Sequence, residues 1–272
     1  MRVTFHGHAC VAIRQEGTTV VVDPGAFADA GTALRGARAV LVTHEHPDHV
    51  DPAALGAALA TTPELEVWAP GAVVRLLQGT LPDGAAARVH AVAPGDGLEI
   101  GGVAVTVGGG QHAVIHRDVP RIANLTYLLR ADGATVYHPG DSFDLPGATT
   151  GREHRLDVLL APVSGPWLKM SETIDTVRAV DPWIVVPIHD ALLSDAGLGS
   201  VDRLLGAART GGSYDYRRLT VGEFVEIGRA STAAAAHDVL RDHPEYAEVA
   251  LLEEDETVPP RPEEEAADAA RE

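Results

Sequence analysis

Three imidazoles and two carboxylates crowd into the stretch Thr43-His44-Glu45-His46-Pro47-Asp48-His49, directly after the apolar run Ala39-Val40-Leu41-Val42. That run is continuous and β-branched enough to be a buried strand, which places the cluster where a strand gives way to a loop. On extended backbone, residues two apart point the same way, so His44 and His46 can approach one ion while Glu45 faces away. Pro47 cannot continue a ladder and bends the chain, letting Asp48 and His49 turn back to the same spot. Neutral imidazole nitrogen and carboxylate oxygen are ligands for zinc and its divalent neighbours. A solvated loop would account for an isolated histidine. The spacing His-x-His-x-Asp-His at a strand terminus specifies a metal site.

Four further positions put a His or Asp just after a β run or a glycine break: Asp23, His112, Asp141 and His189. Alone, each is an ordinary turn or surface residue. With the histidine cluster they form a set, because side chains at strand ends on one rim of a sheet converge.

In order along the chain, Val21-Val22-Asp23-Pro24, the histidine stretch, His112, Gly140-Asp141-Ser142 and Pro187-Ile188-His189 resemble the five motifs of the metallo-β-lactamase superfamily. Gly7-His8-Ala9, Asn124 and Met170-Ser171-Glu172 resemble its ascorbate-6-phosphate-lactonase-like branch of metal-dependent hydrolases and their phosphodiesterase relatives. The likeness spans roughly residues 1 to 228. It implies an α/β (α+β) fold, a four-layer αββα sandwich with two divalent metal ions between the sheets. Zinc is the first choice, with manganese or iron as alternatives. By the same resemblance, His44, His46 and His112 would hold one ion and Asp48, His49 and His189 the other. Asp141 would bridge them, and Asp23 would accept a hydrogen bond from a ligand imidazole. His49 favours two ions and a hydrolase outside the antibiotic-degrading group. Val50-Asp51 and Ser142 depart from the family pattern without removing a ligand. His116 is a rival to His112; if it is not a ligand, it is a candidate proton donor or substrate contact. Asn124 and Arg117 are further candidate substrate contacts, and Arg121 a candidate anion contact. The resemblance puts His8 near the site, whereas its place beside the first strand reads as structural. The Trp167, Trp183 and Tyr127 rings read as core.

The elements that must position these groups are mostly short strands. Val3 to Phe5, Cys10 to Arg14 and Thr18 to Val22 open the chain, with a turn at Glu16-Gly17. Asp51 caps a helix that starts at Pro52 and runs to about Ala60. Glu66 to Ala69 is a strand and Ala72 to Gln78 a helix. Strands follow at Arg88 to Val92, Leu98 to Ile100 and Val103 to Val107, the last broken by Gly108-Gly109-Gly110. Thr126 to Arg130 and Thr135 to His138 pair across Ala131-Asp132-Gly133. Val158 to Ala161, a helix capped by Ser171 and running to Val180, and the strand Trp183 to Pro187 come next. A helix at Val201 to Arg209 and a strand at Leu219 to Ile227 complete the domain, 1 to 228. An alanine-rich helical extension (229–252) and an acidic, disordered tail (253–272) are expected beyond it.

At 272 residues the chain can bury a large core, and its 45% hydrophobic content is ordinary for a globular protein. The formal charge of −18 excludes long nucleic acid as the main partner. No apolar run reaches membrane-helix length, and the N-terminus has no signal-peptide shape, so a cytoplasmic location is expected. Cys10, the one cysteine, rules out an internal disulfide. The expected reaction is hydrolysis of a small-molecule ester, lactone or phosphorylated substrate by a hydroxide that two metal ions generate from water, with Asp48 helping to hold that water. A phosphodiesterase acting on a nucleotide or lipid headgroup is the alternative. A weakly catalytic metal- or ligand-binding protein is the alternative of another class. A homo-oligomer is possible through the alanine-rich segment.

Overall fold

Val20, Val21 and Val22 show how the chain layers itself. Val20 and Val22 pack between two sheets, while Val21 packs outward against helices, as successive strand side chains must. Burial on both faces is why these strands read as apolar runs. The computed structural model describes residues 1–81, 84–146, 155–206 and 212–228. The expected helical extension and acidic tail therefore lie outside the described residues.

The first sheet takes β1 (Arg2–Gly7), β2 (Cys10–Gln15), β3 (Thr18–Val22), β4 (Ala39–Leu41), β5 (Glu66–Ala69) and β6 (Val89–Ala91) in sequence order. β1 to β3 are antiparallel and β3 to β6 parallel. The second contains β7 (Gly97–Ile100), β8 (Val103–Gln111), β9 (Ala123–Ala131), β10 (Ala134–His138), β11 (Val158–Pro162), β12 (Ile184–Ile188) and β13 (Asp215–Tyr216), again as sequential neighbours. The last strand, β14 (Phe224–Glu226), returns to the first sheet and pairs antiparallel with β1. Helices α1 (Ala30–Ala33), α2 (Pro52–Thr61) and α3 (Gly71–Gln78) cover the outer face of the first sheet. Helices α4 (Met170–Val180) and α5 (Asp195–Leu205) cover the second. The layers are α, β, β, α. No described helix is long and apolar enough to cross a membrane.

Several local expectations hold. Asp51 caps α2 through Ala53 N and Ala54 N, ahead of Pro52. Asp132 and Gly133, both with positive φ, turn β9 into β10. Others need correction. Gly108-Gly109-Gly110 does not break β8, which runs on to Gln111 paired with β9. Two of the glycines serve close approach: a Cβ on Gly109 would lie 2.7 Å from Asn124 O, and one on Gly108 2.7 Å from Thr126 Oγ1. Ser171 lies inside α4, whose cap is Lys169, with Glu172 accepting the Lys169 N–H. α5 starts at Asp195 behind Ser194, earlier than Val201, because Gly197 and Gly199 hide its first turns from a propensity reading. The strand expected from Leu219 is interrupted by a turn in which Glu223 N bonds Thr220 O and Gly222 adopts positive φ.

Candidate metal centre

β3, β4, β8, β10 and β12 all deliver a site residue just beyond their C-terminal ends: Asp23, the histidine stretch, His112, Asp141 and His189. These ends share one rim, and two clusters form there. His44, His46, His112 and Asp141 make the first; His8, Asp48, His49 and His189 make the second. Within each, one candidate ligand atom per residue lies within 4.8 Å of the others. Asp141 touches both. Its carboxylate is 3.1 Å from His49 Nε2, 3.2 Å from His112 Nε2, 3.2 Å from His189 Nε2 and 3.8 Å from His44 Nε2.

Hydrogen bonds on the far side of the rings fix which nitrogen faces the cleft. Asp23, fully buried, accepts from Thr43 N at 2.7 Å, Thr43 Oγ1 at 2.7 Å and His49 Nδ1 at 2.7 Å. With its proton given to Asp23, the Thr43 hydroxyl accepts from His44 Nδ1 at 2.9 Å. His112 Nδ1 donates to Ala113 O at 2.7 Å. All three rings therefore turn an Nε2 lone pair inward. His46 instead presents Nδ1, 3.1 Å from His44 Nε2. His49 Nε2, His112 Nε2, His189 Nε2 and Asp141 Oδ1 are buried with no hydrogen-bond partner. Orphaned lone pairs converging on one buried cleft are rare in a folded protein. They fit a divalent cation, which needs such atoms deprotonated and inward-facing.

The electrostatics divide the imidazoles into two groups. Burial and the neighbouring imidazole of His49 hold His44 well below its ordinary value, so it is neutral as a ligand must be. Burial, then His112, lowers His46 as well. Burial would lower His49 too, but the carboxylates of Asp141 and Asp23 hold it well above. In His189 burial is again outweighed, by Asp141 and Asp48, and its pKa rises to about 9. Burial would raise Asp48, but the neighbouring imidazoles of His189 and His8 keep it far below the carboxylate range. Metal-stripped protein should therefore gain on the order of 3 kcal/mol from protonated His189, fully present below pH 6.5 and lost as pH rises through about 9. Urea unfolding of the stripped protein from pH 6 to 10 should show that fall; a flat profile would contradict it.

Other parts of the rim are built for position. Asn124 is fully buried and brackets the Asp141 loop: its Nδ2 donates to Pro139 O at 2.9 Å, and its Oδ1 accepts from Asp141 N at 3.0 Å. It is a scaffold, not the expected substrate contact. His116 joins neither cluster; its side chain is 59% exposed and its Nδ1 accepts from Asp118 N. Arg117, 87% exposed, lies beside Asp118 in the same loop, and Arg121 is spent on the His112 and Gln111 carbonyls. That loop leaves His116 and Arg117 in solvent, while Arg121 lines a small hollow beside His46 and His112. Trp167 corrects the sequence reading the other way. Its Nε1 donates to Asp141 Oδ2 at 3.0 Å, and its ring meets those of His112 and His189 edge-on. No local pattern marks it; only its neighbour Gly165, whose positive φ leaves room for the indole, hints at a special turn.

Comparison with known proteins places this geometry. Residues 2–189 match the family described as Beta-lactamase superfamily domain. A protein of Mycobacterium tuberculosis is 36% identical over 202 residues, covering 73% of this chain and 88% of the relative. A UPF0173 metal-dependent hydrolase of Methanopyrus kandleri is 26% identical over 204 residues, covering 70% and 84%. Among solved structures, the metallo-beta-lactamase fold protein YhfI of Bacillus subtilis superposes with a TM-score of 0.62 at 14% identity, covering 83% of this chain and 99% of that one.

Proposed function

The chain belongs to the β-lactamase superfamily and is a metal-dependent hydrolase of the metallo-β-lactamase fold, and from that premise we propose that it cleaves a small-molecule ester, lactone or phosphorylated compound at a pair of divalent ions. His44, His46 and His112 would hold one and Asp48, His49 and His189 the other, with Asp141 facing both sets. The observation that carries this reading is the convergence of partnerless His49, His112, His189 and Asp141 atoms on a single buried cleft. Bound there, two divalent ions supply Lewis acidity toward the attacked oxygen and lower the pKa of water towards about 7.

The chain's own residues do the rest. Asp23 and Thr43 lock the His49 and His44 tautomers. Trp167 shields and orients Asp141. Asp48, with 18% of its side chain exposed, is the carboxylate that solvent reaches, so it can accept a hydrogen bond from the attacking water. Beside the second cluster lies a cavity of about 520 Å³, walled by Phe27, Leu198 and Val221 and bounded by His8 and Asp190. That volume suits a small organic arm.

Elemental analysis of protein purified without added metal, beside a panel of carboxylic esters, lactones, phosphomonoesters and phosphodiesters, tests the proposal. A divalent metal should copurify, one class should turn over, and chelation should cut that rate at least about 100-fold. Undiminished turnover after complete chelation would sink it. Val221→Trp fills the cavity and should raise KM about tenfold for substrates with an apolar arm, at unchanged metal content. An unaltered KM across the panel would show that the cavity is not used.

A further inference from the structure

His8 stands in the second cluster by distance alone, as close to Asp48 and His189 as a ligand would be. We propose that it is instead a positioning residue, a fixed hydrogen-bond donor that sets Asp48 and His189 and does not bind the ion. The inference rests on the reading of those two residues as ligands.

The tautomer decides. His8 Nδ1 accepts the backbone N–H of Ala191 at 3.2 Å. A backbone N–H only donates, so Nδ1 must carry the lone pair and the neutral ring's proton must sit on Nε2. Nε2 lies 3.1 Å from Asp48 Oδ2 and donates to it. Coordination would reverse both assignments: Nε2 would give its lone pair to the ion, and Nδ1–H would face the Ala191 N–H head-on. Two buried donors facing each other cost a hydrogen bond and leave an amide unsatisfied. His49 and His112 show the opposite arrangement, with Nδ1 donating outward and Nε2 free. The cluster therefore contains two kinds of imidazole, told apart by what lies behind the ring.

The same residue holds His189 through its backbone. His189 N donates to His8 O at 2.8 Å, and the two rings lie 4.0 Å apart between centroids. His8 sits in the turn between β1 and β2, while His189 and Ala191 follow β12, so the contacts join the rims of the two sheets. Both His8 and His189 adopt positive φ, at 53° and 61°, a conformation that surrounding bonds must enforce. Ser164 Oγ, donating to His189 O, supplies another of them. The His8 side chain is 0% exposed, and the groups its ring nitrogens reach are Asp48 and the Ala191 N–H.

Full-length His8→Phe and His8→Gln proteins loaded with zinc test this, read by chelator competition and by the histidine count in the X-ray absorption fine structure. A glutamine amide can place an N–H near where Nε2–H sits; phenylalanine cannot. His8→Phe should weaken one of two zinc sites about 10- to 100-fold and leave the other within about threefold. His8→Gln should recover most of that affinity, and neither variant should lose a coordinated imidazole. A drop in the histidine count in both, an equal loss of affinity in both, or no loss in either overturns the proposal. An Asp48→Ala protein separates this from failure of the parent reading. If it binds zinc like the wild type, the ligand assignment itself is wrong and the role of His8 falls with it.

Discussion

Asp141→Asn should leave protein with less than about a tenth of the wild-type metal content and hydrolysis lower by on the order of 1,000-fold. The change keeps the shape of the side chain, and Asn124 still bonds the Asp141 backbone N–H, so the loop should hold. What changes is charge and donor pattern. The native carboxylate faces three Nε2 atoms within 3.2 Å and accepts from Trp167 Nε1. An amide has one acceptor oxygen, so its NH2 must point either at Trp167 N–H or at the imidazoles of the cleft. It also removes the negative charge that the proposed ion pair would share, each ion of which would contribute several kcal/mol of transition-state stabilisation. Because Asp141 faces imidazoles of both clusters, the loss should exceed that of any single histidine. Elemental analysis and the hydrolysis assay, run on one preparation, check both numbers. Full metal with full rate would mean that Asp141 does not bridge.

Gly25→Ala should be nearly as damaging, although it touches no ligand side chain. A Cβ there would lie 1.8 Å from Asp48 O, 2.1 Å from Asp48 C and 2.5 Å from His49 N. These are backbone atoms and cannot rotate aside, so the Asp48–His49 peptide must move and take two of the proposed ligands with it. A displacement of about 1 Å at a reactive centre costs on the order of 100-fold. Overpacking of this kind adds roughly 3 kcal/mol of instability. Gly25 has no positive φ, so the effect is one of space and not of backbone conformation. Gly31→Ala is the matched control: nothing lies within 4 Å of its added Cβ, and α1 should if anything be steadied. Thermal melts and zinc affinity of the two proteins should diverge. A Gly25→Ala protein matching the wild type on both counts would refute the packing argument.

Read alone, the sequence determined the cation-binding chemistry, the strands that carry it and the alternation that buries them on two faces. Each is encoded in residues a few positions apart. His44 and His46 share a face because extended chain repeats every two residues, and Asp51-Pro52 starts a helix whatever surrounds it. Tertiary structure alone decided the rest. The indole of Trp167 on Asp141, the amide of Asn124 behind the same loop and the clearance at Gly25 join positions far apart in the chain, and no local period records such a meeting. The proton on His8 is the sharpest instance. His8 and His49 are the same residue type at the same cluster, and they differ only in whether an N–H or a carboxylate stands behind the ring. The N–H behind His8 arrives from the other sheet, so only the assembled fold tells the two rings apart.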